Sequence, residues 1–279
     1  MLRSTDELNE YVIRATDGDI GHVKDFYFDD KKWVIRYFVV KTGSWLSNRK
    51  VLISPMAVNH ANWEERMLPV SITKEQVKNS PDIDTDKPVS RQHEIHYLGY
   101  YGYPYYWGGL GLWGGGAYPF LMMPGYAGGN PIPSAAQAEA ERANAQAEVA
   151  RHEDDDPHLR SCNAIMDYHI QATDGDIGHV QGLLVDEETW AIRYLVVNTS
   201  NWWLGHEVLI SPQWIENVSW PEVSVSIKLT RQQVKDAPLY DSTAQLNRKQ
   251  EVGVYGHYGR AGYWVDEVKH TPTQRANAK

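Results

Sequence analysis

Cysteine is nearly missing from this chain: Cys162 stands alone among 279 residues. A single thiol excludes an internal disulfide and a cysteine-rich zinc site, and suits a reducing compartment. Basic residues are also short. The 27 Lys and Arg against 36 Asp and Glu leave a net charge of −9, which argues against nonspecific nucleic-acid binding, because that relies on cations neutralising phosphates. The first ten residues hold Asp6, Glu7 and Glu10 where a secretory leader needs an apolar run, so the expected setting is the cytoplasm. No Gly-rich phosphate loop, P-loop lysine motif or dinucleotide fingerprint occurs, and nucleotide chemistry therefore has no carrier. Phenylalanine is scarce, at 4 residues, beside 11 Trp and 17 Tyr. Rings with a polar tip suit half-buried sheets, interfaces and membrane surfaces.

Charge disappears altogether between residues 97 and 138, where no Asp, Glu, Lys or Arg occurs. The apolar stretch 108–129 has the length of a membrane span, but its glycines with Pro119 and Pro124 would leave backbone groups unsatisfied in lipid. No transmembrane segment is expected. The stretch reads as a Gly/Tyr/Trp-rich linker (108–133), either a flexible connector or a sticky loop that docks on a partner or a bilayer surface. Residues 134–153 follow as an Ala-rich helix, stopped by Asp154–Asp156 and Pro157.

What is present is said twice. Leu2-Arg3-Ser4 returns as Leu159-Arg160-Ser161, and Tyr11–Val23 returns as Tyr168–Val180. A shift of 157 aligns residues 2–107 with 159–264 without a gap, and 43 of the 106 pairs are identical. The chain is a tandem duplication. The expected parts are a first domain (1–84), an aromatic extension (85–107), the linker and helix, a second domain (158–241), and a second extension with tail (242–279).

Each copy alternates with period two. Tyr11–Thr16 reads as a strand, Asp17-Gly18 as a turn whose glycine takes positive φ, and Gly21–Phe28 as a second strand. After a turn at 29–32, Trp33–Lys41 is the longest strand, apolar on both faces, as in a closed barrel or a covered sheet. Val51–Ser54 ends at Pro55. Thr73 with Gln76, and Thr230 with Gln233, read as capping boxes opening short helices that stop before Pro81 and Pro238.

The string ATDGDIGHV, the following D-x-x-x-W turn, the IRY-x-VV strand and VLISP resemble the PRC-barrel family over roughly 11–84 and 168–241. That family includes the cytoplasmic domain of the photosynthetic reaction-centre H subunit and a domain of a ribosome-maturation factor. The resemblance implies an all-β protein: two tandem six-stranded PRC-like β-barrels, each followed by a short helix. It implies protein–protein contact and no shared catalysis. Neither the H subunit's membrane anchor nor the maturation factor's RNA-facing barrel is expected here, so neither role is expected to transfer whole.

Candidate chemistry is sparse. Asp17-Gly18-Asp19 and Asp174-Gly175-Asp176 lack the closing Glu of a calcium loop and read as hairpin turns. His22 and His179 have no recurring nucleophile beside them. His93 and His96 face Gln250 and Gly253 in the other copy, so no metal is expected there. Arg36 and Arg193 sit mid-strand among apolar neighbours, where an unpaired charge is costly. They are expected to pair with Asp17, Asp19 and Asp29, and with Asp174, Asp176 and Asp186, locking turns to the central strand. Arg91, Glu94, Tyr101, Tyr106 and Trp107 recur as Arg248, Glu251, Tyr258, Tyr263 and Trp264, which suggests that each extension docks on a barrel. Trp33 and Trp190 read as filling. The contact candidates are Trp45, Trp63, Tyr101, Trp107, Trp202, Trp203, Trp220, Tyr258 and Trp264.

The expected function is a non-enzymatic adaptor or scaffold without cofactor or metal, binding other proteins and itself as a homo-oligomer. The second reading is a peripheral accessory subunit of a membrane photosynthetic or electron-transfer complex at the inner membrane, by resemblance to the H subunit.

Overall fold

The computed structural model describes residues 1–81, 89, 91–107, 111–114, 116–122, 143, 158–199 and 206–265. The 134–153 helix (residue 143 apart), part of the 108–133 linker, and Trp202 and Trp203 lie outside these residues.

The chain is mostly β, in two sheets. In the first half, β1 (Leu2–Ser4) and a short helix α1 (Thr5–Leu8) precede β2 (Val12–Ala15), β3 (Gly18–Asp29), β4 (Val34–Thr42), β5 (Lys50–Ile53) and β6 (Met67–Pro69). The sheet order is β5-β4-β3-β2-β6, with β2 and β6 parallel and the other pairs on this path antiparallel. Helix α2 (Lys74–Lys78) opens at Thr73 with a complete capping box. An extension helix, α3 (Arg91–Tyr101), follows. The second half has β7 (Leu159–Ser161), β8 (His169–Ala172), β9 (Gly175–Asp186), β10 (Ile192–Asn198), β11 (Glu207–Ile210), β12 (Ile215–Ser219) and β13 (Ser224–Ile227). Its order is β11-β10-β9-β8-β13-β12, and β8 and β13 are the parallel pair. Helices α4 (Arg231–Lys235) and α5 (Arg248–His257) close it. Among the described residues no ladder joins the ends of either path.

The halves exchange arms one for one, and the seventh strand of the second sheet is β12, where the first half makes only isolated bridges at Val58 and Asn62. β1 pairs with β9, and β7 pairs with β3. The sheets hold six and seven strands, each including one borrowed from the other half. The exchange is reciprocal in detail: Asp30 N donates to His158 O and Glu187 N to Met1 O, both at 2.9 Å. These residues are related by the same shift of 157 that aligns the copies.

The long strand begins one residue later than its alternation suggests. Trp33 and Trp190 take φ of 55° and 58°, a left-handed conformation that strains a bulky side chain. In that geometry the Trp190 carbonyl accepts from Ile35 N at 2.8 Å, and the Trp33 carbonyl accepts from Ile192 N at 2.7 Å. The two indoles are buried, Trp33 against Phe28 and Trp190 against Phe38 of the other half. They fill the seam between the sheets. Close approach also fixes two glycines: a Cβ on Gly21 would stand 2.1 Å from Lys41 O, and one on Gly178 1.9 Å from Asn198 O.

Candidate functional site

In the first half, Arg36 on β4 is 0% exposed. Its Nη2 lies 3.2 Å from Asp29 Oδ2, at the end of β3. The other Asp29 oxygen accepts from the amides of Lys31 and Lys32 at 3.0 and 3.3 Å. Burial pushes the Asp29 carboxyl up, but Arg36 and the two amides outweigh it and hold its pKa below the usual value. Nε and Nη1 of Arg36 make no hydrogen bond among the described residues. The guanidinium is instead stacked 3.9 Å from the Tyr106 ring centroid and 4.7 Å from that of Trp113.

Helix α3 brings a second charge to this place. Glu94, 2% exposed, accepts from Arg91 Nη1 at 2.9 Å, from the Tyr37 hydroxyl at 3.2 Å, and from the Tyr106 hydroxyl. Burial pushes its pKa up against the opposing pull of Arg91. Tyr97, on the same helix, receives Ser54 N and donates to Leu52 O, both at 3.1 Å. Trp113 closes the cluster and reaches across the seam, its indole N–H donating to Thr189 O at 2.8 Å.

The second half repeats the arrangement. Arg193 Nη2 lies 3.3 Å from Asp186 Oδ2 and 3.1 Å from Thr189 Oγ1, and its guanidinium is 4.0 Å from the Tyr263 ring. Glu251 accepts from Tyr194 and Tyr263 at 3.2 and 2.9 Å and pairs with Arg248 at 3.1 Å. Tyr255 bonds Ser211 Oγ at 3.0 Å. Both extensions are thus held by a buried Arg–Glu–Tyr cluster.

Of the aspartates expected to pair with each arginine, Asp29 and Asp186 do so and the other two of each set do not. Asp17 and Asp174 instead accept from the backbone N–H of Lys74 and Arg231, at the starts of α2 and α4. Asp19 pairs with Arg14 at 2.6 Å. Asp176 makes no ion pair among the described residues, because Gln171 stands where Arg14 does in the other copy. The reason is distance: β3 runs from Gly18 to Asp29, roughly 35 Å at 3.3 Å per residue, so only the carboxylate at its far end reaches Arg36.

The described contact candidates all pack within the chain. Trp45 donates its indole N–H to Ile20 O at 2.7 Å, beneath Lys74. Trp63 packs on Tyr11 with Arg3 4.0 Å above it, and Trp220 packs on Tyr168 and Phe28 with Arg160 at 4.4 Å. Tyr101 stacks on Tyr103 at 5.5 Å, and Tyr258 lies 4.6 Å from Trp214. Trp107 and Trp264 carry Arg91 and Arg248 at 4.2 and 4.4 Å.

Sequence reasoning missed the arm pairs, Arg3 Nε to Glu187 Oε2 at 2.8 Å and Arg160 Nε to Asp30 Oδ2 at 3.1 Å. Their signal was the recurrence of Leu-Arg-Ser at the head of each copy. It also missed Trp113, which lies beyond the aligned repeat and has no counterpart to mark it.

Among the described residues no group of His, Cys, Asp or Glu is arranged to hold a metal, and no helix is long and apolar enough to cross a membrane. Residues 2–77, from β1 through most of α2, match the family model for the PRC-barrel domain. No curated protein matches the chain.

Proposed function

From the premise that residues 2–77 belong to the PRC-barrel family, we propose that both halves are small PRC-type barrels and that the whole is a non-enzymatic adaptor. The observation that carries the reading is the reciprocal exchange of β1 and β7. It joins the halves into one pseudo-symmetric body that presents the same extension helix twice. The outer faces of those helices differ, however. Ile95, His96 and Tyr100 on α3 stand where α5 has Val252, Gly253 and His257. A body with two similar but unlike faces suits two partners held in fixed relation.

The anchoring clusters favour the same reading. Glu94, Glu251, Arg36 and Arg193 are buried and engaged with one another's neighbours, so their work is to fix the extensions in place.

The test is in-cell cross-linking in the native host, with membrane and soluble fractions resolved by mass spectrometry. A stoichiometric partner linked through α3 or α5 is the expected result. Recovery of the chain alone from both fractions overturns the adaptor reading. A partner confined to the membrane fraction would favour an accessory subunit of a membrane complex.

A further inference from the structure

Beside the N-terminal arm, where the halves meet, lies a cleft of about 540 Å³. Its walls are residues 2–7 of the first half and, from the second half, β9, β10, the start of β11 and the 240–246 segment. Gly182 lies in the wall formed by β9.

The equivalent residue in the first half is Asp25. Its carboxylate accepts from Ser161 Oγ at 2.5 Å, Phe26 N at 2.7 Å and Asn163 N at 3.1 Å, and so ties down the arm of the second half. Gly182 offers no such group, and Ser4 Oγ accepts from Asp6 N at 3.2 Å instead. Nothing in the fold demands glycine here. A Cβ on Gly182 would meet only Val196, at 3.7 Å, and its φ lies outside the left-handed region. A space stands open where the other copy is filled.

The charge lining the cleft is net negative. Asp6, Glu7 and Glu207 line it, and Arg3, its one cation among the described residues, is held by Glu187 and Glu7 at 2.8 and 2.7 Å. Burial, joined by Glu207, Asp241 and Glu7, pushes the Tyr240 hydroxyl above its ordinary pKa, so negative potential converges there from both halves. Leu184, Val196 and Leu246 give an aliphatic stem a wall to lie on. The Ser242 hydroxyl and the Gln245 side-chain amide match the groups of a peptide backbone.

We propose that this cleft docks an arginine or lysine side chain carried on an extended segment of a partner protein. The inference rests on the adaptor reading and gives it a partner chemistry. Complementary charge at such a place sets specificity and encounter rate more than raw affinity.

The probe is a fluorescein-labelled peptide, Gly-Ser-Arg-Leu-Arg-Ser-Gly, titrated into the full chain by fluorescence anisotropy, with a glutamate version as control. Saturable one-to-one binding of the arginine peptide alone is expected, weakened about fivefold or more by Glu207→Gln. Gly182→Leu, which plugs the cleft at a position where the fold accepts a side chain, abolishes it without lowering the melting temperature. No binding, or equal binding to the plugged variant through the chain's overall negative charge, overturns the proposal. If a cross-linked partner then maps to α3 or α5, the adaptor reading stands without it; if no partner is found, that reading falls on its own evidence.

Discussion

A guanidinium with no exposure to water has to be held by what surrounds it, and Arg36 is held by one carboxylate and two rings. Arg36→Met would leave Asp29 buried with only backbone amides. Removing one partner of a buried pair costs about 3–5 kcal/mol, and a urea titration should read that loss. The loss should be smaller for Arg193→Met, because Asp186 is 17% exposed where Asp29 is 7%. The two buried carboxylates act oppositely with pH. Asp29 has a folded pKa below its ordinary 3.8, so its contribution is present above that value and is lost as the pH falls. Glu94 has a folded pKa above its ordinary 4.5, so the folded state binds the extra proton and loses stability as the pH rises past 4.5. The stability of the wild type relative to Glu94→Gln should therefore fall as the pH rises from 4.5 through the raised folded-state pKa, and then level. Denaturation at four pH values checks the slope, and a rise would contradict the burial of Glu94. Mid-strand arginines beside apolar residues were readable as buried from sequence. Which aspartate they took was not, because that depends on the length of β3, and the hairpin pattern does not carry that length to the site.

At the scale of elements, capping chemistry carried the most information. Both bonds of the box form at Thr73 and at Thr230, because the hydroxyl and the amide side chain satisfy local donors whatever the tertiary setting. Thr73→Ala and Thr230→Ala should each cost about 1 kcal/mol and lower the melting temperature. A variant with an unchanged melt would show that the cap carries no net stability. The extension helices were harder to see. Gly99 in α3 and Gly253 and Gly256 in α5 weaken helix propensity. The overlooked mark was Asn247 with Gln250, which form a complete box at the start of α5. The strand edge at Trp33 was misplaced for another reason. Alternation places a residue on a face but does not see a left-handed φ that a hydrogen bond from the opposite half holds in place.

At the scale of the whole molecule, arm exchange decides how the chain comes apart. Each half completes the other's sheet, and the seam carries paired backbone bonds at Trp33 and Trp190, the Arg3–Glu187 and Arg160–Asp30 bridges, and the Trp113 indole on Thr189. The duplication was plain in the sequence, but the partner of each Leu-Arg-Ser segment was not, because three residues pair equally well with their own sheet or the neighbour's. A half stripped of the other's arm exposes the edge of β3 or β9, and an unpaired edge is unfavourable in water and prone to association. The halves should therefore unfold in a single transition. They should also remain together when the covalent link is cut. A protease site placed within 123–157, cleaved in the folded full-length protein, should give two fragments that co-elute in gel filtration. Arg3→Ala with Arg160→Ala, which removes both bridges and both arginine–tryptophan stacks, should lower the denaturant concentration at which the fragments part. Separation of the cut wild type in native buffer would mean that the exchanged strands add little, and that the linker alone keeps the halves in register.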